Sequence, residues 1–151
     1  MSRENQSFDE WGCVWDYLKN LGHDRSAWEI QSNPNQSDSV DVWLRDIVSG
    51  QRTGIQVTKY HVEKTPGIND KDMANLPQLI RLLSVLAVSR IEEKQNHYGI
   101  KNTLELVLLL ECSRDLPANL CKGLEERLRR KRFAGFGEIY IVCPAHNIRV
   151  K

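Results

Sequence analysis

Val40-Asp41-Val42-Trp43-Leu44, then Ser49-Gly50-Gln51-Arg52, then Gly54-Ile55-Gln56-Val57-Thr58-Lys59-Tyr60 set the organisation of the chain. The two outer segments alternate apolar residues with others, and the residues between them carry turn chemistry. That combination predicts two antiparallel strands of one hairpin. Period-2 parity then sorts the side chains. Val40, Val42 and Leu44 fall with Ile55 and Val57 on one apolar surface, which places Asp41, Trp43, Gln56 and Thr58 on the other, facing outward, with Lys59 turned away from them.

Working outward toward the N-terminus, Ser7-Phe8-Asp9-Glu10 has the form of a capping box, followed by Trp11, Val14, Trp15 and Leu18 at helical spacing and by Gly22 as a C′ residue. Ala27–Gln31 is a short strand candidate, and the turn formers at 33–39 make a loop into the hairpin. Beyond the hairpin, 61–72 has no sustained period and contains a Pro-Gly turn, as an exposed functional loop does. Pro77 suits a helix's first turn, and the apolar residues from Leu79 to Ile91 predict a largely buried helix ending near His97-Tyr98-Gly99. Thr103–Glu111 is nearly continuous in apolar residues, the pattern of an interior strand covered on both faces. Pro117 opens a third helix with Leu116, Leu120, Leu124 and Leu128 in a row, and Glu138–Cys143 forms a last strand. Ile148 and Val150 are placed to add a short edge.

The order is thus αβββαβαβ. With Asp41 on the second strand and Gln56-Val57-Thr58 fifteen residues later on the third, the chain resembles the PD-(D/E)xK, restriction-endonuclease-like nucleases. The resemblance covers residues 7–143, and Gln in place of Glu is known in the Mrr-like branch of that superfamily. Glu10-x3-Val14-x3-Leu18-x3-Gly22 is similar to the opening helix of Holliday-junction-resolvase-like and Mrr-like nucleases, in which a helix glutamate approaches the metal site.

The resemblance implies an α/β fold, a mixed central sheet flanked by helices over a single domain, and a metal-dependent nuclease acting on DNA. Asp41, Gln56 and Glu10 would lie near Mg²⁺ or Mn²⁺, a hard cation that takes oxygen ligands beside a scissile phosphate. Thr58 stands where the family places its lysine. Lys59 is one residue out of phase and would recover that role only through a β-bulge between Gln56 and Lys59. The alternative reading is a nuclease-fold module without catalysis that binds nucleic acid or a protein partner.

Other residues are candidates for smaller parts. His61, Lys64 and Lys71 on the 61–72 loop are candidates for a displaced base or phosphate contact, Asp38 ranks below Asp41, and Arg81 could face the cleft. Arg127 through Arg132 holds five basic residues in six positions, more than a helix dipole needs, which makes Arg129, Arg130 and Lys131 a candidate phosphate-contacting patch.

Composition sets outer bounds. The 151 residues, 40% hydrophobic and 27% charged, suit one globular domain, and a formal net charge of +1 confines any basic surface to a local patch. Cys13, Cys112, Cys121 and Cys143 lie far apart without a CxxC pair, and His23, His61, His97 and His146 are scattered among turns and read as surface residues. No Cys/His couple stands at a catalytic spacing, and Gly-rich phosphate loops, GxSxG and HExxH are absent. The polar N-terminus has no apolar h-region, and the longest apolar run, 82–88, is too short to cross a bilayer. Reduced thiols and a cytoplasmic location are therefore expected, and a homodimer through an edge strand or the first helix fits each reading.

Overall fold

The computed structural model describes residues 3–35, 39–65, 68 and 75–151, with side chains from residue 10 onward. Its described elements are the helices α1 (Arg3–Asn20), α2 (Leu76–Tyr98), α3 (Ile100–Thr103) and α4 (Ala118–Arg129) and the strands β1 (Trp28–Ser32), β2 (Val42–Asp46), β3 (Arg52–Tyr60), β4 (Val107–Cys112), β5 (Glu138–Val142) and β6 (Asn147–Arg149). The strands form one mixed sheet in the order β1-β2-β3-β4-β5-β6. The first three make an antiparallel meander, β3, β4 and β5 run parallel, and β6 returns antiparallel. Helices α2 and α4 are the crossovers that parallel neighbours require. None of the described helices is long and apolar enough to cross a membrane.

Two hydrophobic cores sandwich the sheet. Under α1, Val14 and Leu18 meet Val42, Leu44, Ile55, Val57, Val107 and Leu109. Under α2 and α4, Leu83, Ala87, Ile91, Leu120, Leu124 and Leu128 meet Leu108, Leu110, Ile139 and Ile141. The interior strand expected from the Leu-rich run is therefore observed, with Leu108, Leu109 and Leu110 all fully buried. It starts at Val107 rather than Thr103, because Gly99 takes φ 86° and launches α3, in which Thr103 Oγ1 donates to Ile100 O at 2.9 Å. The leucine row of α4, the entry of α2 beside Pro77 and the short edge at Ile148 are also observed.

Helix α1 ends as its sequence predicts. Gly22 at φ 81° donates to Lys19 O (2.9 Å), and His23 N donates to Leu18 O (3.0 Å), the paired bonds of a Schellman motif. Its start differs. The helix begins at Arg3, so Ser7 lies inside it and the capping-box reading of Ser7 and Glu10 is overturned.

The hairpin departs from simple alternation at one residue. Val42 pairs with Ile55, yet Asp41 N donates to Ile55 O as well (2.9 Å), so Asp41 and Val42 both oppose Ile55 in a one-residue bulge. A bulge reverses facing on its far side, and Val40 accordingly joins the core under α2 rather than the Val42–Leu44 surface. The outward-facing surface is corrected too: Gln56 and Thr58 are 2% and 4% exposed, because α2 covers that side of β3.

Candidate functional site

Strand β3 extends past the end of β2, which leaves the Val57 amide without a strand partner. The Asp41 carboxylate takes that place, its Oδ2 accepting from Val57 N at 2.8 Å. Asn33 clamps the same corner from β1's end, donating from Nδ2 to Val40 O (2.7 Å) and from its backbone N to Asp41 O (3.3 Å). Burial raises the Asp41 pKa above the usual carboxylate value. The Val57 amide and then the positive charge of Lys94 pull it back in part.

Lys94 reaches this corner through the way α2 crosses β3. Tyr60 Oη donates to Leu83 O (2.6 Å), Arg90 Nη2 donates to Thr58 Oγ1 (2.6 Å), and Arg90 Nε donates to Lys59 O (3.2 Å), so the helix runs antiparallel to the strand. One further helical turn, about 5.4 Å, carries the chain from Arg90 to Lys94, while two strand residues, about 6.7 Å, lead from Thr58 back to Gln56. Nothing in the residues around Lys94 announces it. Its signal is its place four residues after Arg90 on a buried helix, legible only once the register of α2 on β3 is known.

Gln56 sits between the two residues that bind Asp41. Its Oε1 is buried and has no hydrogen-bond partner among the described residues. A buried carbonyl left unsatisfied costs about 1–3 kcal/mol, so its retention calls for a ligand or for a functional reason. Among the described residues no three His, Cys, Asp or Glu side chains come together as a metal-ligand set. A cation here would draw one carboxylate and one amide oxygen from the chain and the rest from water and phosphate, which Mg²⁺ accepts.

The remaining sequence candidates are dispersed. Glu10 lies on α1, and its charge is felt at Cys13 together with those of Glu111 and Asp16. Lys59 is exposed beside Glu111 in the strand register, and β3 carries no bulge between Gln56 and Lys59 in its pairing with β4. Thr58 is bound to Arg90. His61 pairs with Glu63 (3.1 Å), and Lys64 is exposed in the same short turn. Arg81 is exposed. Asp38 and Lys71 lie outside the described residues. Arg129 is engaged by Glu125 (3.4 Å) and by Arg149 O (3.2 Å), while Arg130 and Lys131 project beyond the helix end into solvent.

Next to Val40 opens a groove of about 600 Å³ lined by Trp43, His97, Tyr98, Asn102 and Leu106 among others. Arg52 stacks on the Trp43 ring at 4.4 Å, so a cation and aromatic surface stand on the same side of the hairpin.

The chain matches no family model, no curated protein and no solved structure.

Proposed function

We propose that the Asp41 corner is a divalent-cation site of a nuclease-like protein acting on the phosphodiester bonds of DNA, in a restriction-endonuclease-like arrangement of the sheet. The observation that carries this reading is the buried Gln56 Oε1 without a partner, flanked by the two β3 residues that hold Asp41. An oxygen kept dry and unpaired on the strand segment that also holds a desolvated carboxylate is an unfavourable arrangement for an empty protein and a favourable one for a bound cation.

In this reading Asp41 and Gln56 hold Mg²⁺ or Mn²⁺, with Asp41 Oδ1 as the oxygen not engaged by Val57. The bound ion would supply charge neutralisation at the phosphate and a more acidic water. Lys94 replaces the lysine that Thr58 cannot provide, stabilising negative charge beside Asp41. Thr58 with Arg90 stiffens the neighbouring strand. Exposed Arg130 and Lys131 offer a backbone contact, and Trp43 with Arg52 stacked on it, at the groove, offers a stacking surface.

One observation favours a second reading, a nuclease-fold module without catalysis. The family's lysine position is occupied by a threonine already bound to Arg90 at 2.6 Å, an arrangement that closes that position to water. Incubation of the wild-type chain, Asp41→Asn and Lys94→Met with linear and plasmid DNA in Mg²⁺ or Mn²⁺ separates the two. Cleavage by the wild type that falls at least about a hundredfold in both variants supports the enzyme, since one oxyanion-stabilising group is worth about that much. DNA retention without cleavage, lost on neutralising Arg130 and Lys131, supports the module. Equal cleavage by all three proteins marks a contaminant and removes the proposal.

A further inference from the structure

At the opposite end of the parallel strands a second polar cluster forms, independent of the Asp41 corner. Cys121, on the first turns of α4, lies 3.0 Å from His146 Nε2, and His146 Nδ1 lies 3.3 Å from Asp115 Oδ1. Each member is held in place. Asp115 Oδ1 also accepts from Ala145 N (2.8 Å), which ties the loop after β4 to the turn carrying His146, and Cys143 N donates to His146 O (2.9 Å). Cys121 Sγ is within 3.4 Å of Leu116 O. The histidine read from sequence as a surface residue thus stands between a thiol and a carboxylate.

Access distinguishes Cys121 from the other thiols. Cys13, Cys112 and Cys143 are 4%, 3% and 0% exposed, whereas Cys121 is partly open and its His146 and Asp115 side chains are 32% and 47% exposed. We propose that Cys121 is a covalent modification site, its thiol activated by His146 and Asp115 for addition to conjugated carbonyl electrophiles. The Cys121 proton passes to His146 Nε2, and Asp115 stabilises the imidazolium that results. The sulfur then forms a bond to the β-carbon of the electrophile, the π electrons move to the α-carbon, and that carbon takes the proton back from His146. Nothing leaves and no electrons are gained or lost.

The surroundings make the histidine necessary. Cys112 on β4, Asp115, Glu125 on α4, Cys143 and His146 face the thiol. Burial first, then the negative charge available at Cys112 and Asp115, push Cys121 up to about 11. A lone thiol of that acidity is about 0.01% ionised at pH 7, against about 3% for an ordinary cysteine. Higher intrinsic nucleophilicity recovers only about tenfold of that difference. Without proton transfer to His146, Cys121 is therefore slower than free cysteine; with it, the thiol reacts as an ion pair.

The test is the rate of N-ethylmaleimide addition to the full chain, followed by intact mass and peptide mapping, for wild type, His146→Gln and Cys121→Ser, with folding checked by circular dichroism. The expected result is single modification at Cys121, at least about tenfold faster at pH 7 in the wild type than in His146→Gln, with the gap narrowing as pH rises toward about 11 and the variant's thiol ionises unaided. Equal rates at pH 7, or first modification at another cysteine, overturn the proposal. Should His146→Gln fail to fold, the NMR titration of His146 in wild type and Cys121→Ser decides. Protonation of His146 persisting to higher pH in the wild type supports the proposal, and identical titrations overturn it.

Discussion

Gln56 and Thr58 on β3 stand directly beside Leu108 and Leu110 on β4, in register and on the same face of the sheet. All four are buried, at 2%, 4%, 0% and 0% exposure. One strand fills its places with hydrocarbon and the other with an amide and a hydroxyl. Depth in the fold is the same, so the fold does not demand the polar pair. The leucines account for packing; Thr58 is satisfied by Arg90, and Gln56 Oε1 is left unsatisfied. The difference locates a strand on which stability has been set aside for something else, at the corner where Asp41 also gives up solvent.

Truncation on the apolar side should have the largest effect. Leu110→Ala is expected to destabilise the chain by about 3–4 kcal/mol, read by urea unfolding, because the close-packed site between β4 and the helices cannot collapse around the missing atoms. The same measurement on the polar side should change sign. Gln56→Met keeps the volume and removes the unpaired oxygen, and is expected to raise stability by about 1 kcal/mol. A loss as large as that of Leu110→Ala would mean that the amide is a structural member of the core.

Asp41→Asn should have an effect smaller than Gln56→Met, and a pH signature identifies it. Burial raises the Asp41 pKa in the folded chain, so the carboxyl's contribution to stability is full below the unfolded value near about 3.9 and is lost as pH rises through the folded pKa. The variant is therefore expected to be the more stable at pH 7 without added metal, with the advantage vanishing near pH 4. An advantage independent of pH would show that the Val57 bond, which asparagine also accepts, governs the corner.

Much of the architecture could be read from local pattern. The meander was marked by alternation around Gly50, the interior strand by its unbroken leucines, and the crossover helices by Pro77, Pro117 and the Leu120–Leu124–Leu128 row. Those signals are local, set by backbone restriction and by period. Facing around Asp41 escaped because a bulge leaves no mark in the sequence: one shared carbonyl, Ile55 O, turns Val40 to the other core. Thr103 falls in α3 rather than the strand, and an apolar run alone does not distinguish a helical turn from extended chain.

The site was legible only in its β-strand half. Asp41 and Gln56 are close in sequence and joined by a hairpin, so strand pairing brings them to one corner, although the bulge at Asp41 breaks the parity from which a shared face is expected. Lys94, more than thirty residues onward, arrives through the crossing of α2 over β3, which no spacing encodes. Cys121 and His146 escaped for the same reason. They meet across the ends of α4 and the β5–β6 turn, 25 residues apart.

The most direct measurement is a calorimetric titration of the wild-type chain, Asp41→Asn and Gln56→Met with Mg²⁺ and Mn²⁺ at neutral pH. The wild type is expected to bind one divalent ion, with a rise in melting temperature, and each variant to lose both. Binding that survives the two substitutions, or a wild-type chain that takes up no ion from millimolar solution with or without DNA, would contradict it.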